Sequence, residues 1–245
     1  FTDWGCGSTT LQAVSNGMFV TLEEGSYLVK ADKKETFGWF VRESFRFIHT
    51  ETGSVDVCPE SGASYYLNSW NGRKMTIDEN GYLVVIKTGE VAVGEGDDAK
   101  LGRKCHAVFE GEAAVFGMEV VTNGIADAVN AAKIADKAVV VIGSNPVINS
   151  KEEIDRSTIS LPPAQQRLVD EVFAANPETV VVMVTNYPYS ICKLQETVPG
   201  ILYTPSGSQE LGYGIASVLS GKVSPAARLN MTWYLSDEDL PEIND

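Results

Sequence analysis

Residues 138–184 read AVVVIGSNPVINSKEEIDRSTISLPPAQQRLVDEVFAANPETVVVMV, and their order decides the fold class. The run Ala138-Val139-Val140-Val141-Ile142-Gly143 carries no charge and is rich in β-branched residues, the pattern of a strand covered on both faces. Residues 162–175 follow helical spacing, with Pro near the start and Leu168, Val169, Val172 and Phe173 on one face. Asn176-Pro177 stops that helix, and residues 179–184 form a second apolar run. Strand, helix and strand in this order predict a parallel pair with a right-handed crossover.

The same alternation continues outward. Residues 124–135 predict a helix, 201–203 a short third strand, 210–219 a helix closed by Gly221, and 228–234 a last strand. The fold class expected for residues 121–245 is therefore α/β, with a mostly parallel sheet sandwiched by helices. Ligands of such sheets gather at the carboxyl ends of the strands. The segment 143–156 leaves one of those ends and holds Glu152, Glu153, Asp155 and Arg156.

The first 120 residues have a different character. Short β-branched or aromatic runs at 18–22, 37–41, 65–67 and 82–86 are separated by Gly, Asn and Asp, which predicts strands and turns. Asn16-Gly17 with Thr21, Glu24, Tyr27, Leu28 and Val29 recurs 55 positions later as Asn71-Gly72 with Thr76, Glu79, Tyr82, Leu83 and Val84. Each copy places Asn-Gly before a strand, a polar turn and a second strand. The repeat reads first as scaffold, and secondly as a carrier of exposed aromatic side chains such as Trp70, Trp39 or Tyr66 that could meet a sugar. It resembles the fascin-like β-trefoil repeat, of which it supplies two of three lobes.

Composition narrows the function classes. The chain has 245 residues, 44% of them hydrophobic, with 19 basic and 33 acidic side chains and a net charge of −14. The charge is spread evenly over both halves and repels phosphate backbones, so no nucleic-acid partner is expected. No apolar run approaches the roughly 20 residues of a membrane-crossing helix, so no membrane partner is expected either. Cys6, Cys58, Cys105 and Cys192 lie far apart, and His49 and His106 add little to a ligand set, so no metal and no cofactor is expected. No strand runs into a Gly-rich phosphate loop, which disfavours a nucleotide-binding domain.

The segment from Gly143 onward resembles the C-terminal α/β sandwich domain of family 3 glycoside hydrolases. The family pattern S-x-E-G-x-D-R followed by L-P-x-x-Q is matched by Ser150, Glu152, Asp155, Arg156, Leu161, Pro162 and Gln165. Downstream, Gln209, Glu210, Gly212, Ile215, Ala216, Leu219, Gly221, Pro225, Arg228, Leu229 and Thr232 fit the closing motif of that domain. The run Trp233-Tyr234 to Asp239-Leu240-Pro241 is similar to the lead into a fibronectin-like domain. Gly5-Cys6-Gly7-Ser8 resembles the loop after the first strand of the sandwich. On that basis residues 1–13 begin the α/β domain, 14–120 are an inserted all-β module, and 121–245 complete the domain. The first strand is then expected before Phe1, in a longer parent protein.

The resemblance implies a retaining β-glycoside hydrolase of β-glucosidase or β-xylosidase type acting on a β-linked oligosaccharide or glycoside. Its active site would be shared with an N-terminal barrel domain of the same parent chain, which supplies the nucleophile. Glu152 falls at the acid/base position, with Glu153, standing where the family has Gly, as the alternative. Ser8, Asp155 and Arg156 fall at weaker substrate-binding positions. Thr2-Asp3-Trp4 also resembles the barrel's S-D-W nucleophile motif, but a turn Asp beside a packing Trp is the simpler reading. The alternative to an enzyme part is a non-catalytic carbohydrate-binding or scaffold fragment.

Overall fold

The computed structural model describes residues 1–22, 28–36, 42–55, 59–87, 107–109, 111–145, 149 and 156–242. The chain forms two compact units, Phe1–Thr122 and Asn123–Asp245.

In the first unit every regular element among the described residues is a strand: β1 (Thr2–Asp3), β2 (Thr9–Thr10), β3 (Phe19–Leu22), β4 (Val29–Lys33), β5 (Ser44–His49), β6 (Ser64–Ser69), β7 (Met75–Ile77), β8 (Leu83–Lys87), β9 (Ala107–Phe109) and β10 (Val115–Gly117). Five of them form an antiparallel sheet in the order β1-β2-β5-β6-β10. Residues 2–10, which the sequence groups with the α/β domain, thus hydrogen-bond into the sheet of this unit through Thr9↔Phe45 and Thr10↔Ser44. The core is Leu22, Phe45, Phe47, Tyr65, Leu67, Met75 and Val85, drawn from alternate positions of the strands. The strand expected at 37–41 lies outside the described residues.

The internal repeat becomes two matching hairpins. In the first copy β3 pairs with β4, and in the second β7 pairs with β8. Asn16-Gly17 and Asn71-Gly72 make the turns that lead into β3 and β7, with Gly17 at φ 67° and Gly72 at φ 80°. Both backbones occupy the left-handed region that favours glycine. The copies differ by one step of register. Leu22 faces Val29 in the first hairpin, whereas the equivalent Ile77 faces Leu83 in the second. In the second copy the Asp78 carboxylate accepts from Asn80 N (2.9 Å) and Tyr82 N (2.8 Å), tightening the turn.

The second unit is α/β. Its elements are α1 (Gly124–Lys133), β11 (Ala138–Gly143), α2 (Pro163–Ala175), β12 (Thr179–Val184), α3 (Cys192–Thr197), β13 (Gly200–Thr204), α4 (Leu211–Leu219) and a 3-10 turn (Asp237–Asp239). β11, β12 and β13 form a fully parallel sheet in that order, with Val140↔Val181 and Val182↔Leu202 in register. The core joins Val140, Ile142, Val181 and Met183 of the sheet to Ala132 of α1, Val169 and Val172 of α2, and Leu194 of α3. Asn176 fastens the helix ends: its Nδ2 donates to Ala132 O (3.1 Å) and Ala135 O (2.8 Å), while its Oδ1 accepts from Glu178 N (2.9 Å).

Two expectations change here. Central β12 is buried on both faces, but edge strand β11 is covered on one only: Val139 is 51% and Val141 61% exposed. The strand expected at 228–234 does not form. That segment has no strand partner among the described residues; Arg228 Nη1 donates back to Ala226 O (3.1 Å) and Ala227 O (3.0 Å). Trp233 holds the segment instead, packing edge-on against Tyr203 with centroids 5.1 Å apart. α3 was not foreseen; at six residues it is too short to show a periodicity.

Candidate active-site loop

The segment 144–156 leaves the carboxyl end of β11, and the residues at its two roots are tied to the fold. At the first root, Gly143 has φ 144°, and a Cβ there would lie 1.9 Å from Val184 O. Only glycine lets the two backbones close to this distance. Ser144 N then donates to Val184 O (3.1 Å), one step past the β11–β12 ladder. The Gln165 side chain clasps the same residue with both ends of its amide. Gln165 Oε1 accepts from Gly143 N (3.0 Å), and Nε2 donates to Gly143 O (2.9 Å). Asn149 folds the loop back, donating from Nδ2 to Gly143 O (3.1 Å) and accepting from Asn145 N (2.6 Å).

At the second root, the Arg156 guanidinium sits over two rings, 4.5 Å from the Tyr189 centroid and 5.4 Å from that of Tyr187. Its Nη2 donates to Pro188 O (3.3 Å), and its Nη1 is buried without a hydrogen-bond partner among the described residues. Asp237 accepts from Thr158 Oγ1 (2.6 Å) and from Ile159 N (2.7 Å). Those two hydrogen bonds, the Thr158 hydroxyl first, hold the Asp237 carboxyl below its ordinary range, aided by the Arg156 charge and opposed by desolvation.

Of the residues singled out in the sequence, Glu152, Glu153 and Asp155 lie outside the described residues. Arg156 is placed in the aromatic cradle just described. Ser8, in the first unit, is 9% exposed, and its carbonyl accepts from Trp4 N (3.0 Å) within a tight turn. Asp3 and Trp4 serve the same turn: Asp3 Oδ1 accepts from Gly5 N (3.1 Å), and Trp4 Nε1 donates to Thr10 Oγ1 (3.1 Å). Of the aromatic candidates, Trp70 packs against the β-sheet core and donates from Nε1 to Leu22 O (3.3 Å), and Trp39 lies outside the described residues. Tyr66 is half-buried, whereas Tyr82, not singled out, is 65% exposed. Asp237, Tyr187 and Tyr189 were also missed. Asp237 sits in a run of acidic residues that looks like surface, and nothing local marks its partners 78 and 79 positions away. Among the described residues, no group of His, Cys, Asp and Glu could hold a metal ion, and no helix is long and apolar enough to cross a membrane.

Comparison with known proteins gives the family. The model of the glycosyl hydrolase family 3 C-terminal domain matches residues 3–245. Probable β-glucosidase K of Aspergillus fumigatus is 34% identical over 155 residues, 62% of this chain and 20% of that protein. A β-xylosidase/α-L-arabinofuranosidase of Medicago sativa is 34% identical over 113 residues, 45% of this chain and 14% of that protein. The chain thus spans about a fifth or less of the length of these curated relatives. The crystal structure of Kluyveromyces marxianus β-glucosidase in complex with glucose aligns over 51% of this chain and 15% of its own, at 33% identity and a TM-score of 0.45. With a family model matched from residue 3 to residue 245, the chain belongs to the glycosyl hydrolase family 3 C-terminal domain family.

Proposed function

We propose that this chain supplies the acid/base loop of a retaining β-glycoside hydrolase, with Glu152 as the general acid/base. The nucleophile belongs to an N-terminal barrel of the same parent protein. The observation that carries this reading is the loop 144–156: it leaves the carboxyl end of a parallel strand and is anchored at both roots. Between those roots Ser150, Glu152 and Asp155 keep the spacing of the family motif. The match of one family model to both ends of the chain supports the β-rich residues 14–120 as an insertion within the α/β domain.

The chemistry follows from two carboxyl groups about 5–5.5 Å apart across the scissile bond. Glu152, protonated, gives its proton to the glycosidic oxygen as the barrel carboxylate attacks the anomeric carbon. Ionised, it then takes a proton from the water that hydrolyses the glycosyl-enzyme ester. Arg156, held by Tyr187 and Tyr189, presents a fixed cation at the root of the loop, where it and Asp155 can bind substrate hydroxyls.

The test is Glu152→Gln in the intact enzyme. Alkyl glycosides, with poor leaving groups, lose about 10²–10⁴-fold in rate, whereas activated aryl glycosides are spared in the glycosylation step. Azide restores turnover of aryl substrates, since an anionic nucleophile needs no general base. If Glu153→Gln shows this pattern and Glu152→Gln does not, the role belongs to Glu153; if neither does, the loop is not catalytic.

One observation favours a second reading, a carbohydrate-binding module in the first unit. The exposed Tyr82 ring borders a recess of about 660 Å³ that is also lined by Ser15, Lys30 and Val84, a combination of apolar platform and hydroxyl-binding groups suited to a sugar. Retention of the chain on immobilised β-glucan, lost in Tyr82→Ala, would establish it.

A further inference from the structure

We infer that Asp237 is a positioning residue for the acid/base loop, clamping the second root of that loop from the C-terminal 3-10 turn. The inference rests on the reading of the 144–156 loop given above.

The geometry is a closed circuit of three chain segments. Each oxygen of the Asp237 carboxylate takes one donor from the loop root: Oδ2 from the Thr158 hydroxyl (2.6 Å) and Oδ1 from Ile159 N (2.7 Å). Ile159 O accepts from Ser190 N (2.8 Å), and Ser160 forms a parallel bridge with Ser190. The Ser190 hydroxyl in turn donates to Leu235 O, two residues before Asp237, and Cys192 Sγ lies 3.9 Å from the same oxygen. The turn that carries Asp237 is itself fixed. Ser236 N and Ser236 Oγ both donate to Asp239 Oδ2 at 3.0 Å in a capping box. Asp237 therefore projects from a preset turn, and neither of its acceptor oxygens is left over.

Position explains why this carboxylate matters more to the loop than to the fold. Arg156 holds the root from one side, against Tyr187, Tyr189 and Pro188 O. Asp237 holds residues 158–159, two positions further along. With a single anchor, the root pivots; with two, the direction of the chain at 156–159 is set. Both Asp237 bonds are exposed to solvent, so water competes for them and their loss leaves the parallel sheet intact. A displacement of about 1 Å at a catalytic group suffices to cost on the order of 10²-fold in rate, so loosening a loop root is felt in catalysis first.

The experiment compares Asp237→Ala, Asp237→Asn and Thr158→Val with the unaltered intact enzyme. Amide exchange over 144–160 in Asp237→Ala should rise about tenfold while the amides of Val140–Ile142 stay protected. Asp237→Asn, which keeps the shape, accepts from Ile159 N through Oδ1 and can donate from Nδ2 to the Thr158 hydroxyl, should restore exchange to within about threefold. Thr158→Val, which removes the bond to Asp237 Oδ2 together with the one that Thr158 Oγ1 accepts from Ser160 N, should loosen the same stretch and serves if Asp237→Ala fails to fold. The kcat for alkyl glycosides in Asp237→Ala should fall about tenfold, with KM and activated aryl glycosides nearly unchanged, as for a misdirected acid. Unchanged loop exchange, exchange raised equally throughout the sheet, or equal loss on both substrate types overturns the inference. Local loosening with no alkyl/aryl difference in either Asp237→Ala or Glu152→Gln leaves the clamp standing and removes the acid/base role instead.

Discussion

Replacing Gly143 by Ala tests the junction on which the candidate loop depends. A Cβ at this position would meet Val184 O at 1.9 Å, Val184 C at 2.6 Å and Val184 N at 3.0 Å, all backbone atoms that cannot swing aside. The alanine must therefore move its own backbone, which also sits at φ 144°, a conformation rarely adopted by L residues. Leaving it relieves the clash at the cost of the local hydrogen bonds: Ser144 N to Val184 O, and the two that Gln165 makes to Gly143. Loss of the three bonds, worth about 1 kcal/mol each, gives an expected destabilisation of roughly 3 kcal/mol for the α/β unit. Gly124→Ala is the control, since nothing lies within 4 Å of a Cβ there and the position opens α1. It should be neutral or stabilising by up to about 1 kcal/mol. Urea unfolding measures the total change, and native-state amide exchange of β11 to β13 assigns it to the second unit, which a chain of two units requires. If Gly143→Ala and Gly124→Ala agree within about 1 kcal/mol, the tight approach of Gly143 to Val184 is not a constraint and the reasoning fails.

Asn176→Ala removes two donors and one acceptor that join α1, α2 and the start of β12, at a site only 7% exposed. It should cost about 2–4 kcal/mol in urea unfolding, while Asn230→Ala on the exposed C-terminal segment should cost less than about 0.5. Because the Asp237 carboxyl is held below its ordinary range in the folded chain, its contribution is fully present above the unfolded value of about 3.9 and is lost as pH falls through the lower folded value. Exchange over residues 156–160, corrected for intrinsic rate, should rise on acidification in that window, and the rise should be absent in Asp237→Asn. The chain by itself should turn over no aryl β-glucoside, since one carboxyl group cannot carry out double displacement. Robust turnover by the purified chain would refute this and return Asp3 to consideration as a nucleophile.

How much of this was legible in the sequence depends on the range of the interactions. β11 and β12 begin and end where their apolar runs do, because uncharged β-branched runs suit a parallel sheet whether one face or both are covered. The helices α1, α2 and α4 lie within two residues of the bounds expected at 124–135, 162–175 and 210–219. The repeat foretold two equivalent hairpins but not their one-residue difference in register. Residues 228–234 have a strand-like composition, yet a strand also needs a neighbour, and they pair with no strand among the described residues. In the loop, Gln165 was visible as a motif position, but its role was not: a side-chain amide clasping a backbone 22 residues away leaves no periodic trace. Asp237 lay further still from its partners, and the Tyr187 and Tyr189 cradle shows only once Arg156 is seen between the rings.

The half-covered edge strand β11 has a bearing on how this protein behaves in a test tube. Val139 and Val141 point the same way from a strand that ends the sheet order, and Ile134, 90% exposed, stands at the end of the neighbouring helix. An apolar strand edge of this kind is a template for pairing with another copy. At neutral pH the net charge of −14 keeps copies apart. That protection vanishes near the isoelectric point of about 4.6, where turbidity and intermolecular β-structure should appear together. Replacing Val139 with Thr and Val141 with Lys would keep the strand while removing its adhesive side, turning a pH-limited preparation into one that tolerates acid.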